Sequence, residues 1–144
     1  MTEFSLDNFL PYLLNNAAET TSRAFSDHYR KTYGLSRAQW RIMAHLGSLG
    51  DLTASDICTR GFLEKSKVSR AVVGLEEAGM LHRVTSEADR RAEVLSLTGK
   101  GQRTYDDLSA HALAFQSTLV GRLGQERADV LTAMMHELID MWDD

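Results

Sequence analysis

The sequence predicts a mainly helical chain with one small β-hairpin, in the order α-α-α-α-β-β-α-α. Three observations predict it. Apolar residues recur at three-and-four spacing along most of the chain, as amphipathic helices require. Between residues 80 and 98 that period gives way to alternation, as in half-buried strands. Glycines and hydroxyl residues stand at the expected element ends, and no Gly/Ser-rich linker or internal repeat intervenes.

The first helix is expected over 8–33. Phe9, Leu10, Leu13, Leu14, Ala17, Ala18, Thr21, Ala24, Phe25, His28 and Tyr29 share one face. Proline is tolerated only in a first turn, so Pro11 starts the helix near Leu10, and Gly34 stops it. Ser36 caps a second helix over 36–48, with Trp40, Met43, Ala44 and Leu46 inward. Leu52 and Thr53 make a short extended link. Thr53 then caps a third helix over 54–60, with Ile57 inward, and Gly61, Phe62 and Leu63 turn the chain. A fourth helix runs over 65–78. Val68, Val72 and Leu75 form its inner face, and Gly79 ends it. Strand-like runs follow at 80–85 and 93–98, joined by a polar tip from Ser86 to Ala92. Thr98 caps a fifth helix over 99–121, although Gly99 and Gly101 weaken its first turn. A sixth helix spans 124–142, with Val130, Leu131, Met134, Leu138, Met141 and Trp142 on one side.

The middle elements, residues 34–98, make a compact winged helix-turn-helix unit. The helices of 1–33 and 99–144 are amphipathic extensions with too little core of their own. Such helices pack against the same helices of a second chain, so a homodimer joined through them is expected.

Composition narrows the class. Hydrophobic residues are 43% and charged residues 25%, ordinary for a globular domain that buries its own core. The single cysteine, Cys58, excludes an internal disulfide and fits a reducing compartment. No apolar run approaches the ~20 residues that span a bilayer. Met1-Thr2-Glu3-Phe4 lacks the basic-then-apolar start of a signal peptide. The expectation is a cytoplasmic protein with no membrane partner. The net charge of −4 hides an asymmetry: 1–29 carry −3, 30–103 carry +5 and 104–144 carry −6. A basic middle between acidic ends can face phosphate while the remainder stays soluble.

The charge pattern within that middle is specific. Lys65-Ser66-Lys67-Val68-Ser69-Arg70 holds three cations, two hydroxyls and no acid, inside a helical pattern. Lys65, Ser66, Ser69 and the Arg70 side turn away from the inner face, and with Lys67 they are the candidate DNA contacts of this helix. A charge run is most often a solvated helix face, but a helix presenting Lys, Ser and Arg also suits the DNA major groove. The hairpin tip then carries Asp89, Arg90 and Arg91. Asp89 can orient an arginine while Arg91 enters the neighbouring minor groove or lies along the backbone. Ser36 and Arg37, at the start of the second helix, complete the set of candidate DNA contacts.

With these motifs in place, the whole chain resembles a MarR-family transcriptional regulator. The resemblance rests on Asp89-Arg90-Arg91 followed by Val94-Leu95-Ser96-Leu97-Thr98-Gly99-Lys100-Gly101. It rests also on Lys65–Val72 leading to Leu75-Glu76-Glu77-Ala78-Gly79-Met80-Leu81, and on Gln39-Trp40-Arg41-Ile42-Met43. It implies a homodimer that binds double-stranded DNA at a pseudo-palindromic operator. It further implies a response to a small effector, often a phenolic or anionic aromatic compound.

Other constellations carry less. Cys58 reads as a small core residue. His28, His45, His82, His111 and His136 show no metal-ligand spacing, and no cofactor or metal is expected. No phosphate-cradling glycine loop or nucleophile elbow is present, so an enzyme is not expected. Arg23, His28 and Trp40 are candidates for an effector pocket, since a cation beside an aromatic suits an aromatic acid. The expected function is a sequence-specific DNA-binding regulator, a repressor released by a small effector. The rival is a winged-helix protein-interaction module that binds no DNA. That rival needs no basic helix face.

Overall fold

The computed structural model describes residues 3–85 and 93–143. By its internal contacts the chain divides into two compact units, Met1–Ser109 and Ala110–Asp144.

The first unit opens with a 3-10 turn at Leu6–Asn8, which the sequence pattern did not suggest. Then come α1 (Leu10–Tyr33), α2 (Arg37–Leu49), β1 (Leu52–Thr53), α3 (Ala54–Gly61), α4 (Lys65–Glu77), β2 (Leu81–Thr85), β3 (Glu93–Leu97) and the start of α5 (Gly99–Leu123). The mainly helical winged order expected from the sequence is present. One detail differs. Leu52 and Thr53 are a third strand rather than a link, pairing antiparallel with Leu95 and Val94, and the sheet order is β1-β3-β2. Two residues carry too little pattern to announce a strand whose partner lies some forty positions away.

Local chemistry sets the boundaries. The Ser36 hydroxyl accepts from the Gln39 N–H at 3.1 Å, and the Gln39 side chain accepts from the Ser36 N–H at 2.9 Å, a complete capping box. Thr53 and Asp56 repeat it for α3, at 3.0 and 3.1 Å. At the end of α4 the Gly79 N–H donates to Glu76 O and the Met80 N–H to Leu75 O, a Schellman motif with Gly79 at φ 74°. Gly101 does not weaken α5; it permits the helix to start where it does. A Cβ there would overlap the Met80 carbonyl oxygen.

The core of this unit gathers Ile42, Met43 and Leu46 of α2, Ile57 of α3, Val68, Val72 and Leu75 of α4, and Leu81 and Leu95 of the sheet. Each such side chain contributes about 1.5–3 kcal/mol by leaving water. Tyr29 of α1 and Leu108 of α5 are buried in the same cluster. The flanking helices therefore complete the winged core as well as extending beyond it.

The second unit holds the remainder of α5 and α6 (Gln125–Asp140), joined at Gly124 with φ 89°. Ala128 is buried. Val130, Leu131, Met134, Ile139, Met141 and Trp142 are exposed. Leu123, Arg127, Val130, Leu131 and Met134 line an open groove of about 410 Å3.

Candidate nucleic-acid interface

The sequence of α4 divides its side chains cleanly. Val68, Ala71, Val72 and Leu75 are buried, while Lys65, Ser66, Lys67, Ser69 and Arg70 are all exposed. Within the cationic face, Lys67 Nζ stands 3.9 Å from Glu64, an exposed pair at the limit of ion pairing. Such a pair holds a lysine weakly and leaves it able to exchange its partner for phosphate.

Both ends of α4 are anchored. Ahead of it, Arg41 of α2 donates to the Gly61 carbonyl at 2.6 Å, fixing the turn between α3 and α4. Burial pushes the Arg41 guanidinium below its usual pKa, and Arg37 one turn away adds to this. Behind α4, the Thr98 hydroxyl donates to Gly79 O at 2.6 Å and Lys100 Nζ to Ala78 O at 2.8 Å. Arg83 of β2 then reaches Glu76 on α4 at 3.4 Å and Glu93 on β3 at 3.2 Å, tying the base of the hairpin to the helix.

Ser36 and Arg37 start α2 beside α4. Ser36 lines a groove of about 410 Å3 together with Gln39, Lys67 and Arg70. It also lines a second groove, of about 480 Å3, with Arg23, Tyr29, Arg30 and Arg37. Its oxygen accepts the cap bond, so its proton stays available to donate. Arg37 forks onto Glu19 of α1 at 2.6 and 3.2 Å, and Arg23 Nε donates to the same carboxylate at 2.8 Å. The hydrogen bond from Arg37, with both positive charges nearby, holds the Glu19 carboxyl at about 2 although the side chain is part-exposed. Asp89, Arg90 and Arg91 lie outside the described residues.

The three side chains singled out for an effector go to different partners. Arg23 faces the groove just described, which neither His28 nor Trp40 lines. Trp40 stacks on Tyr29 with ring centroids 6.1 Å apart and meets Phe25 at 5.3 Å. His28 Nε2 lies 2.9 Å from Asp107 Oδ2, which also accepts from the Tyr33 hydroxyl at 2.6 Å. That bond to a carboxylate pushes the Tyr33 phenol above its ordinary value.

Sequence reasoning missed Glu19, Arg30 and Arg41 as parts of this region. Only the i,i+4 spacing of Glu19 and Arg23 was there to be read. The partners Arg37 and Gly61 O become neighbours only through the fold.

A basic, outward-facing helix docked on a second helix and followed by an antiparallel hairpin defines a winged helix-turn-helix DNA-binding protein. Comparison with known proteins agrees. A profile described as the MarR family matches residues 33–92. The uncharacterized HTH-type transcriptional regulator YwoH of Bacillus subtilis is 24% identical over 121 residues, 84% of this chain and 87% of its own. A MarR/EmrR-family regulator from Acinetobacter sp. ADP1 superposes with a TM-score of 0.86 at 26% identity, over 97% of this chain and 99% of that one. The repressor CouR, solved on a 23-mer DNA duplex, superposes at 0.80 with 25% identity, over 96% and 99%. Residues 33–92 match the MarR family, and over nearly its whole length the chain is similar to MarR-type regulators, which supports a DNA-binding transcriptional regulator of the winged-helix type. Among the described residues no helix is long and apolar enough to cross a membrane.

Proposed function

We propose that this chain is a homodimeric, cytoplasmic repressor that binds a pseudo-palindromic operator and is released by a small aromatic acid. The observation that carries the DNA reading is the α4 face, where Lys65, Ser66, Lys67, Ser69 and Arg70 are exposed over a fully packed inner side. Lys and Arg there reach guanine O6 and N7, and the serines donate to phosphate or base edges. Ser36 and Arg37 add backbone contacts, and Asp89, Arg90 and Arg91, which lie outside the described residues, are assigned on their sequence alone to contacts in the adjacent groove. Residues 34–98 do the reading; the helices of 1–33 and 99–144 join the two copies. Exposed Leu6, Phe9, Leu10 and Leu13 at one end of the chain, and Val130, Leu131 and Met134 towards the other, supply apolar surface for that junction.

The effector half rests on the half-buried rings of Phe25 and Trp40 and on His28 one turn along α1. An aromatic ring can stack on these rings while its carboxylate takes the place of Asp107 on His28; Arg23 stands in the separate groove of Ser36 and Arg37 and takes no part. A ligand lodged there would alter the spacing of the two α4 helices, and half-sites one helical turn apart do not tolerate that.

The test is binding of the full chain to a duplex from its own upstream region, with Arg70→Ala and Lys67→Ala alongside. Both variants should bind more weakly and melt as the parent does. A lost base contact costs about 1–3 kcal/mol and relaxes preference at one base pair per half-site. A lost phosphate contact weakens all sequences alike and lowers the salt slope by about one. Unchanged affinity in both variants refutes the assignment. Ligand titrations with and without operator test the effector: equal affinity in both means that the pocket is not the switch.

A further inference from the structure

The Glu19 carboxylate sits in the fork of Arg37, Nη1 at 2.6 Å and Nη2 at 3.2 Å, while Arg23 Nε holds the same carboxylate at 2.8 Å. Arg30 lines the groove with both arginines. Two planar donors closing on one carboxylate is the arrangement by which guanidinium groups hold a phosphate diester. The groove also adjoins the DNA-reading surface. Ser36 lines it and lines equally the neighbouring groove that carries Lys67 and Arg70. Cations therefore run from α4, across the first turn of α2, to the last three turns of α1, where Arg23 and Arg30 share the groove with one acid, Asp27. The N–H groups opening α2 add positive potential along that track.

We infer that Glu19 is an internal stand-in for phosphate: it occupies the Arg37 fork in the unbound protein, and a backbone phosphate of duplex DNA replaces it on binding. The inference rests on the DNA-binding reading above and adds to it a residue that restrains the contact. Glu19 and Arg37 are both part-exposed, at 40% and 42% of their side chains, so water and phosphate can reach the pair. Exposed pairs hold weakly, which makes the exchange feasible. The consequence is selective. A phosphate must be offered in register to displace Glu19, so loosely placed, non-specific duplex gains less from Arg37 than an operator docked on α4. Glu19 thereby lowers binding to sequences without an operator.

The experiment uses the full chain and four variants, Glu19→Gln, Arg37→Ala, the double Glu19→Gln/Arg37→Ala, and Arg70→Ala. Each is titrated with an upstream duplex and with an unrelated duplex over a salt series. Glu19→Gln keeps the size and shape of the side chain and should melt as a folded protein. It should tighten both duplexes, the unrelated one by the larger factor, roughly threefold or more at low salt. Its slope of log affinity against log salt should steepen by about 0.9, one added phosphate contact. The gain should vanish in the double variant. That separates release of Arg37 from the general effect of one less negative charge. A Glu19→Gln protein with unchanged slope overturns the inference, and so does a gain that survives Arg37→Ala. In either case Arg70→Ala still reports on the DNA-binding reading itself: loss of operator binding there leaves that reading standing. If the parent chain binds neither duplex, both fall.

Discussion

Two glycines of one helix should respond to the same substitution with opposite signs. Gly101 and Gly121 both lie in α5, and an alanine would ordinarily stabilise a helix by about 0.5–1 kcal/mol at either place. At Gly121 nothing approaches within 4 Å of an added Cβ, so Gly121→Ala should gain that amount. At Gly101 the Cβ would overlap the Met80 carbonyl oxygen, a backbone atom that cannot swing aside. The same oxygen accepts from the Thr98 N–H at 3.0 Å. Relief requires α5 to shift off the start of β2. That shift strains the bonds from the Thr98 hydroxyl to Gly79 O and from Lys100 to Ala78 O. Overpacking costs about 1–3 kcal/mol and each weakened hydrogen bond about 1, against a helix gain of about 1. Gly101→Ala should then lose about 2–4 kcal/mol, roughly a 10 °C lower midpoint. Urea unfolding of both variants measures this. Shifts of the same sign, or a Gly101→Ala change below about 0.5 kcal/mol, would refute the argument.

Further outcomes follow from single residues. Phe62 is 81% exposed and takes the left-handed φ of 54° that closes α3. Phe62→Gly should be neutral to stabilising by about 1 kcal/mol in thermal melts, and a clear loss would show that the ring contributes packing. Glu19 titrates at about 2 when folded against 4.5 ordinarily, so its stabilisation is complete above about 4.5 and is lost as pH falls through 2. Melting curves of the parent and Glu19→Gln should differ at neutral pH and converge near pH 2; a constant offset over that range would mean the pair is not formed.

What could be read in the sequence followed from periodicity and caps. The i, i+4, i+7 positions of Val68, Val72 and Leu75 announced both α4 and its buried face, and thereby the opposite, cationic one. Ser36, Thr53 and Gly79 marked the boundaries because their chemistry acts on neighbours within five positions. The failures share one cause, distance along the chain. Leu52 and Thr53 became a strand because of Leu95 and Val94. Gly101 read as a weak helix start because the atom that demands glycine, Met80 O, stands on another element. Arg23 and Trp40 looked like one pocket because both suit an aromatic acid, yet ion pairing draws Arg23 to Glu19 and ring packing draws Trp40 to Phe25 and Tyr29. For the candidate site, composition chose the residues; tertiary contacts decided which of them work together.

The division of labour in α4 explains why its outer face can change without cost to the fold. Its inner side chains are among the most buried in the chain, with Leu75 at 0% and Val68 at 1% exposure. Its ends are held by groups that belong to other elements, Arg41 ahead and Thr98 with Lys100 behind. None of these anchors uses Lys65, Ser66, Lys67, Ser69 or Arg70. A substitution on the outer face therefore leaves the packing and the anchors intact, and its effect appears in binding alone. The converse also holds. Weakening Arg41 or Thr98 would tilt the helix and move all five outer side chains together, so such a variant would lose affinity for every sequence at once. Uniform loss together with a lower melting temperature thus marks residues that hold the reader in place, uniform loss with only a lower salt slope marks a phosphate contact, and loss confined to one base pair marks a base contact.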